Sequence, residues 1–300
     1  MGSWIAKNLI DKGERVWIID NLSNGSLRNI EEFKDKLGGF LKTDILNKKA
    51  LVKIFSYGFD ICIHLAASIN VQASIDNPLD CFNNNVIGTF NVLEECRRHK
   101  TKMVFISSAL VYATTRPGKR MNEKHPLNPS CVYTASKIFG ENQVIAYYQT
   151  YKLPAVILRP FSIYGPWQRK DAEGGVMSIF IDRLLKGRTI DVFGSGSQSR
   201  DFFYIEDCAE FITRAAFSDK AVGEIFNAGS GKEVKIKDLA KRISVGKPAM
   251  RFVKHPHQHA EIMHMCADST KARKLLGWKA KTSLQDGIEK TRDWLKREQV

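Results

Sequence analysis

Short apolar runs alternate with helical stretches through the first half of this 300-residue chain, and this alternation limits its possible folds more than any other feature. Val16-Trp17-Ile18-Ile19, Ile61–Leu65, Met103-Val104-Phe105-Ile106 and Ala155–Leu158 read as short buried strands. Between them Leu51–Phe55, Val86–Arg98 and Cys131–Tyr151 have helical character, and Trp4, Ile5, Leu9 and Ile10 share one face of an opening helix that Gly13 ends. Buried strands separated by helices predict an α/β protein with a doubly wound parallel sheet covered on both faces. Beyond Pro160 the pattern is less regular. Gly174-Gly175, Gly194-Ser195-Gly196 and Gly229-Ser230-Gly231 mark loops, and Ile236–Ile243 and Leu284–Leu295 read as helices. The expected organisation is a cofactor-binding domain over 1–160 and a smaller α/β substrate domain over most of 161–300, with some strands returning to the first sheet.

The composition suits a packed core: 43% of residues are hydrophobic, with 17 Phe and 5 Trp. The net charge of +14 attracts polyanions. The basic residues are nevertheless scattered, as at Lys34–Lys36, Lys48-Lys49 and Arg97-Arg98, so a solvated basic surface is expected and nucleic acid is not an expected partner. The six cysteines, Cys62, Cys81, Cys96, Cys131, Cys208 and Cys266, form no C-x-x-C pair or zinc spacing. His255, His257 and His259 lack a fourth ligand nearby, so no metal is expected. Scattered thiols, no signal peptide and no apolar run of about 18 residues predict a soluble, cytoplasmic protein without a membrane partner.

Three local patterns point to chemistry. Asp20 closes a predicted strand, where a carboxylate can hydrogen-bond ribose hydroxyls and repel a 2′-phosphate; the same position also suits a turn former. Tyr133 and Lys137 form Y-x-x-x-K on a predicted helix and share a face. An ammonium beside a phenol favours the phenolate, which makes Tyr133 a candidate general base. Ser107-Ser108 ends a strand of the parallel sheet, the edge where ligands bind in such folds.

Together these residues resemble the extended short-chain dehydrogenase/reductase family, and within it the UDP-glucose 4-epimerase-like sugar-nucleotide enzymes. The resemblance is carried, in order, by Asp20-Asn21-Leu22-Ser23-Asn24-Gly25, His64-Leu65-Ala66-Ala67, Asn85-Val86-Ile87-Gly88-Thr89, Ser107-Ser108-Ala109-Leu110-Val111-Tyr112, Tyr133-Thr134-Ala135-Ser136-Lys137 and Leu158-Arg159-Pro160-Phe161. It continues through Gly194–Phe202, Asn227-Ala228-Gly229 and Leu276-Gly277-Trp278. It implies a Rossmann-type fold, NAD as cofactor and a UDP-sugar as substrate. Tyr133 would take the proton of the sugar 4-hydroxyl, Lys137 would hold the nicotinamide ribose and tune Tyr133, and Ser108 would bind the same sugar oxygen. Gly2, Asp20, Asn21, Ser23, Asp44, Ile45, Leu65, Ala66, Ala67, Asn85, Ser107 and Pro160 would line the cofactor groove together with Tyr133 and Lys137. Ser162, Val176, Val192, Arg200 and His257 would meet the substrate, Arg200 at its diphosphate. A homodimer is implied, built on the helices Cys81–Arg98 and Tyr133–Tyr151.

The chain also departs from the family pattern. The family opens with a buried strand and a glycine-rich phosphate loop, of which only Gly2 stands here. Those glycines let backbone approach a pyrophosphate. The expectation that follows is a natural polypeptide beginning upstream, and weak NAD binding without that segment. Ala109 and Leu110 stand where the sugar dehydratases carry Asp-Glu, which favours epimerisation over water elimination. Ser162 replaces a common Asn, and an arginine is missing from the stretch His255–Glu261. Decarboxylase, dehydratase and reductase outcomes remain alternatives within the family, and a non-catalytic sugar-nucleotide or RNA-binding relative is an alternative outside catalysis.

Overall fold

The computed structural model describes residues 1–169, 175–244, 250–255 and 261–298. The first half contains α1 (Gly2–Ile10), β1 (Trp17–Asp20), β2 (Gly39–Lys42), α2 (Lys48–Phe55), β3 (Ile61–His64), α3 (Val71–Asp76), α4 (Pro78–Phe82), α5 (Gly88–His99), β4 (Lys102–Ile106), α6 (Val132–Tyr151) and β5 (Ala155–Pro160). The second half contains β6 (Ser162–Tyr164), α7 (Val176–Leu185), β7 (Ile190–Phe193), β8 (Ser199–Tyr204), α8 (Ile205–Phe217), β9 (Ile225–Ala228), β10 (Glu233–Lys235), α9 (Ile236–Ile243), β11 (Met250–Val253), α10 (Thr270–Leu276) and α11 (Leu284–Arg297).

The central sheet has the order β3-β4-β5-β9, every pairing parallel. Strand β9 thus returns from the second half to the first sheet. Successive side chains of a strand point to opposite faces, and here both faces are packed. Val104, Ile106, Val156 and Leu158 join one apolar cluster with α7, α8 and the second-half strands, while Met103, Phe105, Ala155 and Ile157 join another with α2 and α5. Burial on both sides explains why these strands read as unbroken apolar runs. Strands β1 and β2 form a separate parallel pair that shares no ladder with β3; the residues of β1 and most of β3 are half-buried. In the second half β6 runs parallel to β8, β10 pairs antiparallel with β8, and β7 is parallel to β11.

The helix expected from Val86 starts differently. One π turn, Asn83–Ile87, precedes α5. Such widened turns concentrate at functional sites, and this one carries Asn85. The Asn85 amide donates to the Ser68 carbonyl at 3.0 Å and to Ser136 Oγ at 2.9 Å, while its oxygen accepts from the Ser68 N–H at 2.7 Å. A regular helix beginning at Val86 would leave this residue outside the turn.

Asp201, next to Arg200 on β8, anchors the second half. It is fully buried and accepts from the Ser230 N–H and hydroxyl, the Gly231 N–H and the Ala267 N–H. Four donors on one carboxylate fix the loop after β9 against the chain near Ala267.

Candidate active site

The carboxyl ends of the parallel strands bring the sequence-predicted residues into two groups. Asp20 ends β1, Asp44 and Ile45 follow β2, Leu65, Ala66 and Ala67 follow β3, Ser107 and Ser108 follow β4, and Pro160 ends β5. In an open parallel sheet this edge is where ligands bind. Asp20 Oδ1 accepts from the Leu22 N–H at 2.7 Å, turning the chain through Leu22 at a left-handed φ of 60°. Gly25 lies over the same carboxylate: a Cβ there would stand 3.0 Å from Asp20 Oδ2. Asn21 donates to Asp44 Oδ2 at 2.8 Å and accepts from the Ser23 N–H at 3.0 Å, linking the ends of β1 and β2. Gly2 opens the nine-residue α1, and a Cβ there would meet nothing within 4 Å. The Asp20 carboxylate and the glycine at the start of α1 each suit part of a dinucleotide, the ribose and the phosphates respectively. Asn85 lies one layer behind and holds the loop after β3 against α6 rather than facing open space; it is 2% exposed.

The second group lies where α6 crosses the end of β4. Tyr133, in the first turn of α6, is 5% exposed and hydrogen-bonded to Ser108. Burial pushes its phenol up to about 12, and the Ser108 bond pulls the other way. Lys137, one turn on, donates from Nζ to the Ile106 carbonyl at 2.9 Å and lies 5.3 Å from the centre of the Phe105 ring. Burial brings its ammonium down to about 8, opposed by the charge of Glu141. The sequence suggested that Lys137 would depress the Tyr133 phenol. Burial outweighs any such effect on the phenol, and the ammonium is bound at the end of β4. His64 is a buried neutral imidazole whose pKa falls to about 3 through burial and then the Lys137 charge. It contacts Thr89 Oγ1 at 3.0 Å, and Thr89 donates in turn to the Asn85 carbonyl, so His64 Nε2 is the donor of the pair.

The expected substrate residues are less concentrated. Ser162 begins β6 and Val176 begins α7, both half-buried, whereas Val192 on β7 is fully buried in the core. Arg200 on β8 is ion-paired with Glu261 and donates to the Ser199 and Ile262 carbonyls at 2.8 and 2.7 Å. His255 Nε2 contacts the other Glu261 oxygen at 2.5 Å. His257 lies outside the described residues. Among the described residues no three His, Cys, Asp or Glu side chains are grouped to hold a metal ion. None of the described helices is long and apolar enough to cross a membrane.

Sequence reasoning gave no role to Glu141 or Arg159. Glu141 accepts from Ser107 Oγ at 2.5 Å and from both arms of Arg159 at 2.8 and 2.5 Å. Arg159 also donates to Tyr112 OH at 2.8 Å, and Tyr112 donates to Asn227 Oδ1 at 2.7 Å. The signals were present: Glu141 follows Lys137 by four residues on one helical face, and Arg159 is a charge inside an apolar strand.

Residues 1–229 match the model of the NAD-dependent epimerase/dehydratase family. A UDP-glucose 4-epimerase of Mycolicibacterium smegmatis is 33% identical over 296 residues, covering 97% of this chain and 94% of that protein. The solved structure of Pal from Bacillus thuringiensis superposes with a TM-score of 0.97 at 43% identity, covering 99% of this chain and 96% of that one. The UDP-glucuronic acid 4-epimerase of Bacillus cereus, solved with UDP-glucuronic acid and NAD, superposes with a TM-score of 0.90 at 30% identity, covering 99% and 96%. The parallel sheet and these matches agree, and the chain belongs to the NAD-dependent epimerase/dehydratase family, whose cofactor is NAD.

Proposed function

We propose that this protein interconverts UDP-sugars that differ in configuration at C4, through a 4-keto sugar. The observation that carries the reading is the Ser108–Tyr133 hydroxyl pair at the end of β4, with the Lys137 ammonium bound two residues away at the Ile106 carbonyl. Tyr133 takes the proton of the sugar 4-hydroxyl, Ser108 hydrogen-bonds the same oxygen, and Lys137 offsets the developing negative charge. NAD, when bound, supplies the hydride acceptor and returns the hydride. Asp20 holds its adenosine ribose, and the residues after β3 line its groove. Arg200 releases Glu261 and takes the diphosphate, for which a planar guanidinium is suited.

Epimerisation is favoured over water elimination by Ala109 and Leu110. Both follow Ser108 as apolar side chains, so they offer no acid or base for a second proton transfer. We further propose a homodimer built on α5 and α6, whose surfaces carry the exposed Phe90, Phe139 and Tyr151, and a cytoplasmic location, with which six free cysteines are consistent.

Incubating the purified chain and NAD with UDP-glucose, UDP-N-acetylglucosamine or UDP-glucuronate, with proton NMR of the sugars, tests this reading. The 4-epimer of at least one is the expected product. Release of CO2, a 6-deoxy-4-keto product, or no 4-epimer from any of the three would overturn it.

A further inference from the structure

We propose that Glu141 is a positioning residue of this active site, binding α6 to the end of β4 so that Ser108 stays against Tyr133. The inference rests on the reading of Ser108, Tyr133 and Lys137 as the catalytic set. Helix and strand meet through two neighbouring contacts. Lys137 Nζ donates to the Ile106 carbonyl at 2.9 Å, and Ser107 Oγ donates to Glu141 at 2.5 Å. Ser108 is the next residue. Residues 133, 137 and 141 lie along one face of α6, so the base, the ammonium and the carboxylate meet three consecutive residues of one strand end.

Arg159 completes the device. It is 3% exposed and grips both oxygens of Glu141 from β5, while Tyr112 and the Glu123 carbonyl hold the guanidinium. Tyr112 binds Asn227 on β9, and the Asn227 backbone N–H donates to Glu123 Oε1. The ends of β4, β5 and β9 are thereby tied to α6 through one carboxylate. A buried ion pair is often no more stabilising than an apolar pair of the same volume, so its value here lies in placing Ser107 and Lys137. The groups facing Lys137 are Tyr133 and Glu141 on its own helix, Cys81 on α4 and the neutral His64 on β3. Glu141 is the anion among them, and the Arg159 charge lies beyond it.

The test uses the full chain and Glu141→Gln, which keeps the shape and removes the charge. A second variant, Glu141→Gln with Arg159→Met, avoids stranding the buried guanidinium. The Lys137 side chain is followed by its 13Cε shift against pH, assigned through the loss of the signal in Lys137→Met. In whichever variant folds, the Lys137 midpoint is expected to fall by about one unit, and kcat on the substrate to drop at least ~10-fold with KM within ~3-fold. An unchanged midpoint, or full kcat, would overturn the proposal. If neither variant folds, Ser107→Ala decides, because it cuts the Ser107–Glu141 bond and keeps the ion pair: a kcat loss with KM held supports positioning, and unchanged kcat overturns it. A wild type that turns over no UDP-sugar would sink the proposed activity, yet the Lys137 midpoint would still decide this inference.

Discussion

Tyr133 and Lys137 are one helical turn apart on α6, and burial moves them in opposite senses: the phenol rises to about 12 and the ammonium falls to about 8. Both shifts have the same origin, since the interior disfavours the charged form of each group. The pair therefore rests as a neutral phenol beside a partly titrating amine.

The lysine shift sets a stability window. The unfolded chain binds a proton at Lys137 up to about pH 10.5, the folded chain only up to about 8. Between those values the unfolded state holds more protons, so stability rises with pH there. Compared with Lys137→Met, the wild type is expected to gain stability between pH 8 and 10.5, by roughly 3 kcal/mol at most. Urea unfolding of both proteins across that range measures the difference; a constant difference would contradict the buried-ammonium account.

Tyr133→Phe is expected to abolish turnover, by about 10³-fold or more, while UDP-sugar binding stays within a few-fold. The ring remains buried beside Ser74, whose hydroxyl accepts from the residue 133 backbone N–H at 3.2 Å in either variant. Calorimetric titration with the sugar nucleotide checks the binding. Equal losses of binding and turnover would make Tyr133 a structural residue.

Asn85→Ala is expected to cost about 2–3 kcal/mol, because the half-buried Ser68 N–H and carbonyl and the buried Ser136 hydroxyl all lose a partner. The loop after β3 lines the proposed NAD groove, so NAD affinity should fall with stability. Thermal unfolding with and without NAD separates the two effects. A variant with unchanged NAD affinity would show that the loop keeps its shape without this contact.

The parallel sheet, its main helices and the meeting of Ser108, Tyr133 and Lys137 at one strand end were legible because each rests on local pattern: apolar runs, a helical spacing of four, a polar pair at a strand end. The Glu141–Arg159–Tyr112–Asn227 chain was not, because its members come from α6, β5, the segment after β4, and β9. No spacing rule joins residues that tertiary packing alone brings together. The π turn at Asn83–Ile87 was hidden for a related reason, as its widened geometry serves contacts to Ser68 and Ser136 on other elements.

Gly140 is where α6 rests on β4: a Cβ there would lie 2.5 Å from the Phe105 ring. Alanine in a helix interior is better than glycine by about 1 kcal/mol, but overpacking a full core costs about 1–3 kcal/mol, and Phe105 is 1% exposed with Lys137 above it. Gly140→Ala is therefore expected to destabilise the protein and to reduce kcat by displacing Lys137. Adding Phe105→Leu should recover part of both losses. Unfolding and kinetics of the single and double variants form the cycle, and purely additive effects would rule out the contact as the cause.

Arg200 is held by Glu261, while the proposed function assigns it to the substrate diphosphate. The two roles make different forecasts for Arg200→Gln. An arginine that binds diphosphate contributes charge-assisted hydrogen bonds, and its loss should raise KM for the UDP-sugar by about 10–100-fold with NAD affinity unchanged. An arginine that serves only the pair with Glu261 should lower the unfolding temperature and leave KM alone. Glu261→Gln distinguishes them from the other side, since removing the competing carboxylate is expected to lower KM if the guanidinium must leave Glu261 to meet substrate. Steady-state kinetics and thermal unfolding of both variants decide, and a KM that neither substitution moves would remove Arg200 from the substrate site.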